Sequence, residues 1–176
     1  MRTILLLALV LASTAASAAP LEGDVEIDPT AYILSGNSIH AGLASGHWRV
    51  DLGNFGIAIP RAIHGNDDFD VSATGYGVKL EYFARARRTG WFAGIDAGYI
   101  RTHARLRGTD LAGDDASLST GIHAGYRISL PANLYVTPWI GVGYSFGSDD
   151  IAVGNARFAA IPVTIFPAVH LGYRFR

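Results

Sequence analysis

An all-β chain is predicted: an eight-stranded antiparallel transmembrane β-barrel behind a cleaved signal peptide. Three observations predict it. Apolar and polar residues alternate with period two over most of the chain, the mark of strands with unlike faces. Short and long connections alternate along it. The N-terminus has the layout of a secretory leader.

The leader spans residues 1–18 and leaves a barrel of residues 19–176. Arg2 supplies the positive start, Ile4 to Ala12 the apolar stretch, and Ala16-Ser17-Ala18 the small residues of a cleavage site. No later apolar run is long enough for a membrane helix. The formal net charge is −1, and a general nucleic-acid binder would be basic. There is no cysteine, so an exported chain of this size needs another source of stability, and a closed barrel is one.

The alternation is clearest from Ala116 to Leu130. One face carries Leu118, Ile122, Ala124, Tyr126, Ile128 and Leu130, and the other Ser117, Ser119, Gly121, His123, Gly125 and Arg127. Leu134 to Phe146, Gly75 to Ala84 and Trp91 to Thr102 follow the same rule. Ser45-Gly46, Arg85 to Gly90 and Pro131 to Asn133 are short connections. Ile59 to Asp70, Arg107 to Asp115 and Gly147 to Ala160 are long ones. Short periplasmic turns and longer outer loops are the pattern of a membrane barrel. With the short turns on one side, His47 to Ile57 runs outward and Ser38 to Ala44 inward. Val25 to Leu34 then supplies the first strand, Ser35 to Asn37 its loop, and Val163 to Phe175 the last strand. Pro138, Pro162 and Pro167 fall in the last two strands, where a missing donor needs a bulge or loop edge.

Alternation does not say which face meets lipid, and a soluble lipocalin-like periplasmic barrel would put its apolar face inside. Glycines decide for lipid outside. Gly42, Gly53, Gly75, Gly77, Gly94, Gly98, Gly121, Gly125, Gly141, Gly143 and Gly172 share the polar face, and a narrow lumen needs small residues between large ones. Aromatics on the apolar face also sit near strand ends. Trp48, Trp91, Tyr82 and Tyr173 lie toward the short turns, and Tyr76, Tyr99 and Tyr144 toward the long loops, as in the two girdles of a lipid-facing wall.

With its leader, its strand pattern and its closing Gly172-Tyr173-Arg174-Phe175, the chain resembles the small outer-membrane barrels related to outer membrane proteins A, X and W. Arg176 departs from the terminal aromatic of those families. The resemblance implies an outer-membrane location, lipid and lipopolysaccharide as surroundings, no nucleic acid, a monomer, and a non-enzymatic structural or surface-interaction role.

The predicted lumen holds Glu26, Asp28, Asp51, Glu81 and Asp96 against Arg49, Lys79, Arg127 and Arg174. Buried charges demand pairing, so a charge-plugged lumen is expected. His40, His123 and His170 also point inward, and satisfaction by lumen carboxylates is favoured over a metal site. An alternative is a lipid A-modifying acyl hydrolase, with Ser38 and His40 two apart on one face. Lipid A deacylases carry the reverse order, His-x-Ser, so the match is poor. No catalytic residue or cofactor is assigned. The outer loops carry three aspartate pairs, Asp67-Asp68, Asp114-Asp115 and Asp149-Asp150, each just after Gly or Gly-x. Turn chemistry favours Gly, Asn and Asp. Surface calcium or magnesium, which take carboxylate oxygens, is the functional reading. Arg85, Arg87 and Arg88 give the opposite sign at the other end, where lipid phosphates lie.

Overall fold

The computed structural model describes residues 19–175; the predicted signal peptide lies outside the described residues. The chain forms β1 (Glu22–Ile27), α1 (Pro29–Ile33), β2 (Asn37–Ser45), β3 (Trp48–Ile59), α2 (Arg61–His64), β4 (Phe69–Phe83), β5 (Gly90–Leu106), β6 (Ala112–Ser129), β7 (Leu134–Phe146), β8 (Ile151–Val153), β9 (Ala156–Phe158) and β10 (Val163–Arg174). β1 to β7 and β10 close into one antiparallel barrel in the order β1-β10-β7-β6-β5-β4-β3-β2. Closure is made by β1 on β10, with Val25 opposite Tyr173. β8 and β9 form a separate hairpin.

The strands take their inward and outward faces from the period-two pattern. Arg49 and Asp51 are fully buried inside. Leu118 and Ile122 on the outer wall are 64% and 66% exposed. The wall carries aromatic contacts at both ends. At the short-turn end, Trp48 packs on Tyr82 and Trp91 on Tyr126, with ring centroids 4.9 and 5.1 Å apart. At the long-loop end, Tyr76 stacks on Tyr99 at 5.5 Å and Tyr144 packs on Phe146 at 4.8 Å. This is the reverse of a lipocalin-type barrel, whose apolar face is inside.

Three predicted segments differ. The first strand ends at Ile27, not Leu34. The Asp28 side chain accepts the Thr30 N–H at 2.9 Å, capping α1, and Pro29 follows in the first turn. An N-cap acid followed by proline is a helix start, so this pair turns the chain out of the ladder. The connection predicted from Arg107 to Asp115 shrinks, because β5 continues to Leu106 and β6 begins at Ala112. Asp114 and Asp115 therefore belong to a strand. His103 pairs with Asp114 and Arg105 with Ala112 across the ladder. The segment Gly147 to Ala160 is no plain loop but holds the β8–β9 hairpin, turned at Gly154 with φ +60.

The proline in β7 has its expected effect. The β6–β7 ladder is interrupted opposite Pro138, between the Gly125–Trp139 and Ile128–Val136 pairs. Glycine is required where large lumen residues cross. A Cβ at Gly42 would strike both Asp24 and Arg49.

Candidate functional site: the barrel interior and its outer rim

The inward residues of neighbouring strands converge on Arg49, set on β3 between β2 and β4. Its guanidinium donates to Asp24 at 2.6 Å, Asp51 at 2.8 Å and Glu81 at 2.9 Å, and lies 3.4 Å from Glu26. From β6, Arg127 reaches Glu26 at 2.6 Å and donates to Thr137 Oγ1 at 3.1 Å. Its guanidinium lies between the Phe83 and Tyr135 rings, 4.7 and 4.3 Å from their centroids. Lys79 Nζ stands 3.8 Å from Asp51 and 4.7 Å over the Trp139 ring. Charge pairs this buried are held by mutual attraction and hydrogen bonds rather than by water.

The three predicted inward histidines each take a carboxylate. His40 Nδ1 lies 2.9 Å from Asp51, His170 Nδ1 2.9 Å from Glu26, and His123 Nδ1 3.0 Å from Asp96. The His40 and His170 rings also meet at 4.7 Å, tilted by 39°. Among the described residues, no group of three or more histidine or acidic side chains is arranged to hold a metal ion. Ser38 and His40 share the inward face of β2, as predicted, with His40 engaged by Asp51.

Three lumen residues depart from the sequence reading. Asp28 is buried but serves α1. Asp24 is absent from the predicted lumen, although it shares Glu26's parity on β1, and it makes the shortest contact to Arg49. Arg174 stays at the rim, where it lies 5.7 Å over the Tyr135 ring.

Above the charged layer the interior turns apolar. Phe69, Val71 and Ala104 from the barrel pack with Ile151, Val153 and Phe158 of the β8–β9 hairpin. A Cβ at Gly113 would strike Ile151, so the hairpin lies close against β6. Its signal is present in the sequence: Ile-Ala-Val, then Gly154-Asn155, then Ala-Arg-Phe reads as two short strands about a glycine turn. His64 packs edge-on against Phe158 at 5.7 Å, and its Nδ1 accepts the Asn66 N–H. Burial holds the His64 imidazole below its usual pKa, with Arg61 adding to that effect.

The aspartate pairs are dispersed among local tasks. Asn66 Oδ1 accepts the Asp68 N–H at 3.0 Å, forming the turn that carries Asp67 and Asp68. Asp114 faces Arg101 at 3.3 Å and His103 at 3.1 Å. Asp115 takes the opposite face of β6 from Asp114. Asp150 accepts from Arg157 at 3.2 Å and from the Ala160 N–H at 2.9 Å, and Asp149 is exposed beside it. At the opposite end Arg88 is buried, bonded to Glu22 and to the Gly46 carbonyl, while Arg85 and Arg87 are exposed.

No protein-family profile and no curated protein matches the chain. Solved structures do. Neisserial surface protein A superposes with a TM-score of 0.53 at 14% identity, over 88% of this chain and 94% of that one. A major outer membrane protein from Thermus thermophilus superposes with a TM-score of 0.59 at 12% identity, over 89% of this chain and all of that one. At such identity the likeness is one of fold.

Proposed function

We infer that this chain is a bacterial outer-membrane β-barrel with a structural or surface-interaction role and a closed, charge-plugged lumen. One observation carries the reading: the chain is inverted relative to a water-soluble protein. Arg49, Asp51 and Arg127 are sealed inside, while Trp91, Ile95, Ile122 and Ile140 are more than half exposed on one continuous wall. In water such a wall would drive aggregation; in hydrocarbon it is the stable arrangement. From Trp91 to Tyr99, a rise of about 3.3 Å per residue and a tilt near 40° give a height of about 20 Å, close to the roughly 25 Å apolar band of such barrels. The two solved barrels it resembles are named as surface or outer-membrane proteins, which agrees.

The closed-lumen part rests on the two layers that fill the interior, the Arg49–Arg127 network and the hairpin cap. Eight strands leave an interior that side chains nearly fill. The acyl-hydrolase alternative gains no support, since among the described residues no hydrogen bond joins Ser38 to His40 and both are buried inside the wall. The reading predicts that the protein fractionates with outer membranes after a carbonate wash, changes mobility on unheated gels, and gives no steady conductance in planar bilayers. Extraction by carbonate would overturn the membrane assignment. A stable ion channel would overturn the plug alone.

A further inference from the structure

β1 leaves the barrel wall early. It pairs with β10 only from Asp24, opposite Arg174, to Ile27, opposite Leu171, and the chain then turns into α1. β10 continues outward to Val163, paired with β7. Among the described residues no strand pairs with Val163–Val169 on the β1 side. Two bonds lower down show how this free edge is oriented. The Arg174 N–H goes to Asn133, toward β7, and the Phe175 N–H goes to Gly23, toward β1. Odd-numbered residues of β10 therefore turn their backbone groups to the seam. Pro167 is one of them, so its missing N–H costs no ladder bond, which is where a strand tolerates proline.

The seam lies at membrane depth. Val163 is opposite Tyr144 of the outer aromatic girdle, and the free edge runs from there toward the membrane midplane. Every residue from Val163 to Pro167 is exposed, including Phe166, which points into the lumen and is 40% exposed. α1 lies across the seam, in contact with β10, β2 and β3. Its Tyr32 hydroxyl donates to the Ser38 carbonyl at 2.9 Å and so covers the end of β2. Unpaired backbone at membrane depth is tolerated where it lines a cavity.

Behind the seam the lumen is lined by glycine. Gly77 is opposite Gly98, Gly98 opposite Ser119, and Gly121 opposite Gly143. The large side chains at this level are Phe55, opposite Gly75, and Phe166, opposite Gly141. A Cβ at Gly143 would meet only the Thr164 hydroxyl and one wall carbonyl within 4 Å, and at Gly77 its nearest neighbours are wall backbone. Gly77, Gly98, Gly121 and Gly143 are half-exposed although they face inward. A chamber thus separates the charged layer from the hairpin cap. Trp139 forms part of its floor, with the Phe166 ring 5.8 Å away, so aromatic side chains lead from the seam into the lumen.

We propose that the lumen takes one single-chain amphiphile from the surrounding bilayer through the β10–β2 seam, its apolar chain against Phe166, Trp139 and Phe55 and its polar head on the unpaired backbone of Val163–Val169. The proposal rests on the membrane reading above and leaves the charge plug closed beneath the chamber. The head stays at the level of the girdle while the chain exchanges lipid for the lumen, so no charge crosses hydrocarbon. An eight-stranded interior has room for one small ligand.

The test exploits the placement of the tryptophans, since Trp48 and Trp91 are exposed on the outer wall. The mature chain carrying Trp48→Phe/Trp91→Phe, folded in phospholipid vesicles, keeps Trp139 as its reporter and is titrated with dibromostearic acid, whose bromines quench on contact. Trp139 fluorescence falls along a saturable curve, and unbrominated stearic acid restores it. Phospholipid brominated on both chains leaves Trp139 unquenched. Ser119→Phe overpacks the chamber and raises the acid needed by about tenfold. Phe166→Ala weakens the response as well, should the first variant not refold, and Ile122→Phe on the outer wall changes nothing. A response that does not saturate, no recovery with stearic acid, equal quenching by brominated phospholipid, or insensitivity to both lumen changes overturns the site. Trp48→Phe/Trp139→Phe keeps the membrane reading separate, because brominated phospholipid quenches Trp91 on a wall that faces lipid. Quenching of Trp91 by the phospholipid with no quenching of Trp139 by the acid refutes the lumen site alone. Failure of both refutes the membrane reading and the site together.

Discussion

Asp24 on β1 and Arg49 on β3 meet at 2.6 Å across β2, so the first and third strands are tied inside the barrel beside the seam where β1 meets β10. Both side chains are buried, and the same guanidinium also holds Asp51 and Glu81. Replacing Arg49 with Met leaves carboxylates buried without their partner, which costs about 3–5 kcal/mol. Urea unfolding in vesicles, followed by tryptophan fluorescence, checks this. Asp24→Asn added to Arg49→Met should recover part of the loss, because the two changes act on one network. A loss below about 1 kcal/mol would show that the network is solvated.

Gly42 lies under that pair. Gly42→Leu must displace Asp24 or Arg49, and the expected loss is about 2 kcal/mol or more in the same unfolding assay. The substitution leaves the outer wall untouched, so membrane insertion should survive it.

His64 makes the outer cap sensitive to acid. Its folded pKa lies below the ordinary value of 6.5 because burial disfavours the imidazolium. The unfolded state then binds the extra proton, so the contribution is fully present above pH 6.5 and is lost as pH falls through the lowered folded value. Hydrogen exchange in the β8–β9 hairpin should quicken in that window, while the lower barrel stays protected. His64→Gln should flatten the response. Identical pH profiles for the two proteins would remove His64 from the cap's stability.

The Asp114 and Asp150 carboxylates are engaged by arginines, a histidine and a backbone amide, and among the described residues no three acids or histidines are placed to hold a metal ion, so millimolar calcium should shift the unfolding temperature no more than sodium chloride of equal ionic strength. The variant with Asp67, Asp68, Asp114, Asp115, Asp149 and Asp150 changed to Asn should respond like the wild type. A calcium-specific rise that the variant lacks would establish the divalent-cation reading of the rim instead.

The strands and their faces are legible because a period of two survives in sequence wherever one face is apolar. Leu118 to Leu130 against Ser117 to Ser129 needs no tertiary information. The first strand departs from its predicted length where local chemistry outweighs the pattern, since the Asp28 cap and Pro29 start a helix that alternation does not register. Asp114 reads as a loop residue because Gly113 and two acids suggest a turn. Cross-strand partners Arg101 and His103 instead extend the ladder past it. The inward histidines are placed by parity, but their carboxylate partners come from other strands: hairpin neighbours for His40 and His123, and for His170 the Glu26 that only closure of β1 on β10 brings beside it. The basic ladder of β5 stands in the sequence as Arg-Thr-His-Ala-Arg-Leu-Arg. Its pairing with Asp114 and Asp70 emerges only from the ladder, which brings those acids in from the neighbouring strands.

The central claim is that apolar residues face lipid and charged ones face inward, and the absence of native cysteine permits a direct measurement. Single cysteines at Leu80, Ile95, Ile122 and Ile140 on the outer wall, and at Ser117, Ser119 and Ser145 on the inner face, can carry nitroxide labels in bilayer vesicles. The account predicts high collision rates with oxygen dissolved in lipid at the four outer sites, and low rates at the three inner ones. Equal oxygen access at both sets, or higher access at the serines, would contradict it.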